Sequence, residues 1–238
     1  MTAAIPPMGT IGVLGGIGPQ ATMDFVARVH RVAREVVPQH GNEGYPPIVT
    51  VYMRHPPVVV DAEALPVKPL ALDPRLLDAD RRLGAWADLI VIPSNTPHFF
   101  LDQIREAAGC AVVSMIDAAV EALRSRVADV VGLVGLGIPQ IYADRFASEG
   151  LRVVTASEDP RAALDRAIIR LMEGAETDAD RAAARAAVDE VRAAGAPVTV
   201  LGCTEIPLLM GDATDADDLV NPGQLLAEAA VRLALESS

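Results

Sequence analysis

The sequence restarts near residue 130. A short apolar run at 11–14 leads into Gly15-Gly16-Ile17-Gly18-Pro19-Gln20, and a second at 130–134 leads into Gly135-Leu136-Gly137-Ile138-Pro139-Gln140. Later runs correspond as well: 48–53 with 151–155, and Ser94-Asn95-Thr96 with Gly202-Cys203-Thr204. Apolar runs alternating with helix-spaced segments give parallel sheets with right-handed crossovers. The expected fold class is therefore α/β. Two pseudo-symmetric parallel-sheet, flavodoxin-like domains are expected, with the active site in the cleft between them. The first domain is assigned to residues 1–100 plus 210–238 and the second to 101–209.

Further strands are expected at 88–92, 112–115, 198–201 and 219–220. Helices are expected at 22–37, 74–86, 99–108, 116–126 and 222–235, with one to residue 148 and a long helical segment from 160 to 194 broken near Gly174. Residues 56–73, with Pro56, Pro57, Pro66 and Pro69, are read as an irregular loop of the kind that forms a lid or a binding loop. In parallel sheets, ligands bind just beyond the carboxyl ends of the strands. Two loops take that position: Ser94 to His98 after the run Leu89-Ile90-Val91-Ile92, and Gly202-Cys203-Thr204-Glu205 after Val198 to Leu201. Arg54 and His55 follow a third such strand.

Composition narrows the partners. The net charge of −12 argues against a nucleic-acid surface, which needs a basic stripe. Anionic small molecules stay open, because one or two local donors suffice. Apolar residues make up 51 % of the chain, so it can bury a core, and no apolar run is long enough to span a membrane. No charged-then-apolar leader opens the sequence, and the two cysteines, Cys110 and Cys203, have no pairing pattern, so a reduced, cytoplasmic setting is expected. The glycines after the first strand do not fit G-x-G-x-x-G, and no acidic residue ends the second strand, so dinucleotide binding there is not expected. No cluster has metal-ligand spacing, and no metal is expected. His30 and His40 are read as surface residues.

Two equivalent loops can present one side chain to each face of a substrate. That suits removal of a proton from one face of a carbon and its return to the other. Cysteine is a workable base, with a thiolate reached near pH 8.5 when unperturbed. Glu205, two residues on, can orient Cys203 or relay its proton. Cys110 opens a core strand and reads as a small buried apolar residue.

The chain resembles the cofactor-independent aspartate/glutamate racemase family. The resemblance rests on Gly15-Gly16-Ile17-Gly18-Pro19-Gln20-Ala21-Thr22, Asn95-Thr96-Pro97-His98, Ser114-Met115-Ile116-Asp117 and Leu201-Gly202-Cys203-Thr204-Glu205-Ile206-Pro207, in the family's order. It implies a two-domain α/β enzyme, a homodimer, using two cysteines and no pyridoxal phosphate or other cofactor. It implies that Asn95, Thr96 and Thr204 hold the substrate α-carboxylate and amine, that Gly16 and Ile17 line the substrate, and that Arg54 meets a side-chain carboxylate. The sequence departs from the family where its other cysteine falls: Ser94 stands there. The loop after Val134 also lacks the family's threonine hydroxyls. The helix at 169–174 lacks a lysine found in some aspartate racemases, with Arg170 as its substitute.

The expected activity is therefore amino-acid racemisation or epimerisation at an acidic amino acid. The catalytic residues are Cys203, Ser94 and Glu205, with Ser94 either native or an engineered exchange. The alternatives are a single-cysteine decarboxylase or isomerase of a small carboxylic acid, and a ligand-binding homologue that has lost catalysis.

Overall fold

The central strand β1 (Ile11–Gly15) is buried along its whole length, as an apolar run in a parallel sheet must be. It pairs in parallel with β2 (Ile48–Tyr52) on one side and β3 (Leu89–Val91) on the other, and β3 pairs with β4 (Ala111–Val113). The order β2-β1-β3-β4 is repeated as β6-β5-β7-β8 in a second sheet. That sheet comprises β5 (Val130–Val134), β6 (Arg152–Thr155), β7 (Thr199–Leu201) and β8 (Leu219–Val220). These are the two helix-flanked, parallel, flavodoxin-like sheets that the restart in the sequence implies. This computed structural model describes residues 4–62, 67–126 and 128–237. Residues 63–66 of the expected irregular loop lie outside them.

Contacts divide the chain into two units, residues 1–114 with 223–238, and residues 115–222. Both divisions fall later than the expected 100/101 and 209/210. β4 pairs with β3 and so belongs to the first unit, while β8 pairs with β7 and so belongs to the second.

In the first unit, α1 (Pro19–Val36) starts beyond the carboxyl end of β1 and buries Phe25, Val29 and Val32. α2 (Pro74–Gly84) is capped by Asp73, whose carboxylate accepts from the Arg75 N–H at 2.9 Å and from its guanidinium at 2.6 Å. Such a cap is worth about 1 kcal/mol. The Arg75 guanidinium and N–H hold the Asp73 carboxyl at about 2. α3 (Leu101–Ala108) follows β3 through a 3-10 turn. The last helix, α9 (Pro222–Glu236), returns to this unit, where the Ala234 carbonyl accepts from the Gly9 N–H at 2.7 Å.

In the second unit, α4 (Met115–Arg124) precedes β5 and α5 (Gln140–Ser148) follows it. The segment expected to be helical from 160 to 194 is two helices, α6 (Glu158–Met172) and α7 (Asp178–Ala193). Gly174, with φ +70°, ends the first, and a capping box of Thr177 with Asp180 starts the second. Arg170 bonds Asp180 at 3.0 Å and the Ala175 carbonyl at 2.9 Å. It is engaged at that turn. The short α8 (Ile206–Met210) follows β7.

Candidate active site

Each sheet has a topological switch point, where the connections leave the central strands in opposite directions. In an order of 2-1-3-4, the crevice opens at the carboxyl ends of the first and third strands. In the first unit those ends carry Gly16 and Ile17 after β1, and Ser94, Asn95 and Thr96 after β3. In the second they carry Leu136 after β5 and Cys203, Thr204 and Glu205 after β7. Of these nine residues, Cys203 and Glu205 are buried, Leu136 is exposed and the other six are half-buried.

The turn after β1 is fixed by Thr22. Its hydroxyl accepts from the Gly16 N–H at 2.9 Å and donates to the Gly18 carbonyl at 2.8 Å. Gly16 has φ +78°, and a Cβ there would lie 2.6 Å from the Met53 nitrogen. Only glycine fits that conformation and that approach. In the second unit, the Gly137 N–H donates instead to Asp165 on α6, at 2.7 Å.

The loop after β3 is held through its main chain. The Ser94 N–H donates to the Ile92 carbonyl at 2.8 Å, and the His98 N–H to the Asn95 carbonyl at 3.0 Å. The buried His98 ring places Nδ1 at 2.9 Å from the Ser94 main-chain carbonyl. A carbonyl only accepts, so Nδ1 carries the proton. His98 thus braces the peptide and is not bonded to the Ser94 hydroxyl. That hydroxyl has no hydrogen-bond partner among the described residues.

The loop after β7 is built differently. Gly202 lies so close to the end of β5 that a Cβ would meet the Val134 carbonyl at 3.1 Å, and its N–H donates to that carbonyl at 2.6 Å. This approach sinks the next residue: Cys203 is 9 % exposed and Glu205 5 %. The Cys203 thiol donates to Glu205 Oε2 at 3.1 Å, and the Thr204 hydroxyl donates to the same oxygen at 2.9 Å. Burial pushes the Cys203 thiol well above its ordinary value, and the Glu205 charge adds to the rise. Two backbone N–H groups, of Glu205 and Leu136, oppose it. At neutral pH Cys203 is a thiol. The fully buried Tyr142 is raised in the same way, first by burial and then by the proximity of Cys203.

Arg54 is exposed and makes no ion pair among the described residues, whereas His55 beside it contacts the Pro56 carbonyl at 3.0 Å and Asp73 at 3.9 Å. Cys110 is half-buried just before β4. Among the described residues no group of His, Cys, Asp and Glu could hold a metal ion, and no helix is long and apolar enough to cross a membrane. Leu136, Thr22 and Asp165 were not expected to matter. Leu136 acts through its main chain, which its identity cannot announce, and Asp165 is far from Gly137 in sequence. Thr22 closes the glycine motif but is legible as a hydrogen-bond partner only once the turn is formed.

The Asp/Glu/hydantoin racemase family model matches residues 14–230. The chain belongs to that family. The Asp/Glu/hydantoin racemase family places it among racemases, which are isomerases. Among solved structures it is similar to an aspartate racemase homologue from Pyrococcus horikoshii OT3, with 23 % identity, TM-score 0.74, and 95 % of this chain and 99 % of that one covered. It is similar to the aspartate racemase of Picrophilus torridus, with 18 % identity, TM-score 0.76 and 94 % of each chain covered. It is also similar to the glutamate racemase of Francisella tularensis, with 16 % identity, TM-score 0.63, and 95 % and 81 % covered. At these identities the likeness establishes the shared two-domain α/β fold.

Proposed function

We propose that this member of the racemase family exchanges the Cα proton of a small amino acid bearing a second carboxylate, without a cofactor, with Cys203 as the proton carrier. The observation that carries the reading is the thiol-to-carboxylate hydrogen bond from Cys203 to Glu205. Ionising a buried thiol outright would put a second negative charge beside Glu205. Passing the thiol proton to Glu205 leaves the total charge unchanged, so burial does not oppose it in the same way. The thiolate so formed faces two backbone N–H groups and can remove the Cα proton, restoring the thiol; running the step backwards returns a proton to the carbanion.

Thr204 fits this division of labour. Its hydroxyl hydrogen is directed at Glu205, which leaves its lone pairs to accept from a substrate ammonium group. Asn95 and Thr96 are then the ligands for the α-carboxylate, Gly16 and Ile17 line the substrate, and the exposed Arg54 guanidinium is the partner for the second carboxylate. Ser94 takes the place of the family's second cysteine and is the second proton donor, directly or through water. With no base on its hydroxyl, this is the slower half of the reaction.

A second reading is favoured by that same asymmetry. A protonated Cys203, with a serine in place of the family's second cysteine, suits one-sided protonation of a carbanion, as in decarboxylation or isomerisation of a small carboxylic acid.

The test is proton exchange in deuterated water, with L- and D-aspartate and L- and D-glutamate, in the absence of pyridoxal phosphate. Exchange at Cα with inversion supports racemisation. Exchange of one enantiomer with retention supports a one-base site built on Cys203. Absence of exchange with every amino acid, together with carbon dioxide release from a malonate-type acid, overturns the racemase reading in favour of the second.

A further inference from the structure

The first unit has a second concave feature at the opposite end of its sheet. α1 runs back from the carboxyl end of β1, so its last two turns and the segment leading into β2 lie at the amino ends of the strands. The Ile11 N–H, which starts β1, donates to the Pro47 carbonyl there at 2.8 Å. Between these segments is a cavity of about 700 Å³, lined by His30, Arg31, Arg34, Asn42, Tyr45 and Pro46. That volume is in the range of small-molecule sites, roughly 300 to 1,000 Å³.

Its lining is basic although the chain is acidic. The chain carries a net charge of −12, yet two arginines and a histidine line this cavity. Arg31 and Arg34 are one helical turn apart on α1 and therefore project on the same side. Neither makes an ion pair among the described residues, whereas Arg28 on the same helix is tied to Asp24 at 2.6 Å. The nearest acid of the loop, Glu43, faces His40 at 3.7 Å. In the same lining, the half-buried Tyr45 ring meets His30 edge-on, with centroids 5.1 Å apart at 63°. The loop is fixed in advance: the Gln39 side-chain amide donates to the Val37 carbonyl at 2.9 Å and to the Gly44 carbonyl at 3.1 Å.

We infer that this cavity binds a small phosphomonoester carrying a planar ring. The phosphoryl group sits between the Arg31 and Arg34 guanidiniums, and the ring lies against Tyr45 and His30. Two unpaired guanidiniums match a dianion with bidentate hydrogen bonds, and the aromatic wall offers stacking that a bare anion would not use. The site is not the glycine turn after β1, which is at the other end of the strands.

The test is calorimetric titration at low ionic strength with adenosine monophosphate, inorganic phosphate and adenosine as separate probes. The variants are Arg31→Ala with Arg34→Ala, both at exposed positions, with circular dichroism to check the fold. The expected result is binding of one adenosine monophosphate per chain, tighter than either fragment, and weakened about ten- to a hundredfold in the double variant. No binding of the monophosphate overturns the proposal. So does binding no tighter than inorganic phosphate, or binding that the double variant leaves unchanged.

Discussion

The Cys203 thiol and the Thr204 hydroxyl both donate to one oxygen, Oε2 of Glu205, at 3.1 and 2.9 Å. Glu205 therefore raises the thiol's resistance to ionisation while accepting its hydrogen bond. Replacing it separates the two effects. In Glu205→Gln the charge is removed, so the Cys203 thiol ionises at lower pH. Measured in a Cys110→Ser background by thiolate ultraviolet absorbance, the titration should move down. If the charge is also the relay, kcat for proton exchange falls about 10²- to 10⁴-fold while KM changes little. A titration unmoved or raised would contradict the role given to the Glu205 charge.

Ser94→Cys places a second thiol where the resemblance to the racemases expects one. Two-way racemisation should rise, because cysteine supplies an intrinsically stronger nucleophile and base than an unassisted hydroxyl. The comparison is the ratio of forward to reverse rates from each enantiomer, which should move towards unity. No gain with any amino acid would show that position 94 does not face the reacting carbon.

Asp80 on α2 is fully buried, and neither carboxyl oxygen has a hydrogen-bond partner among the described residues. Burial raises its pKa to about 7. The unfolded chain releases this proton near the ordinary carboxyl value, so between there and neutrality the folded protein holds more protons than the unfolded one. Stability consequently falls as pH rises across that window, by on the order of 4 kcal/mol from this group, and levels off above it. Asp80→Asn should remove most of that slope and be more stable than the parent at pH 8. Urea denaturation at pH 5 and pH 8 checks it, and equal slopes in both proteins would refute it.

Gly16→Ala forces a Cβ onto the Met53 backbone at a positive φ. The expected loss is about 2 kcal/mol or more, since strain and steric contact act together. Gly137 also has a positive φ, but a Cβ there would meet nothing within 4 Å, so Gly137→Ala should lose less. Thermal unfolding of the two variants side by side tests the difference.

The fold was legible because its signals are local. Every expected strand is present, since runs such as Leu89-Ile90-Val91 have no polar face and fit only a sheet covered on both sides. The break between α6 and α7 was legible from Gly174. The domain boundaries were less so, because whether β4 closes the first sheet or opens the second depends on which strand it pairs with, and nothing local in Ala111-Val112-Val113 decides that. At the site, the positions of Ser94 and Cys203 at strand ends follow from pattern. The protonation of Cys203 does not. It depends on burial set by the approach of Gly202 to Val134, a contact across 68 residues of chain. His98 shows the same limit. Four residues from Ser94 it could have served the hydroxyl, and only the folded loop turns its ring to the carbonyl.

The return of α9 to the first unit gives the chain an order of assembly. Leu226, Ala227, Ala230, Val231 and Ala234 of α9 are buried, and the helix closes a unit whose sheet is already encoded by residue 113. On a ribosome working from the amino terminus, the first unit waits, unsealed, while the second is made from start to finish. The half of the protein that is translated first is the half that finishes last.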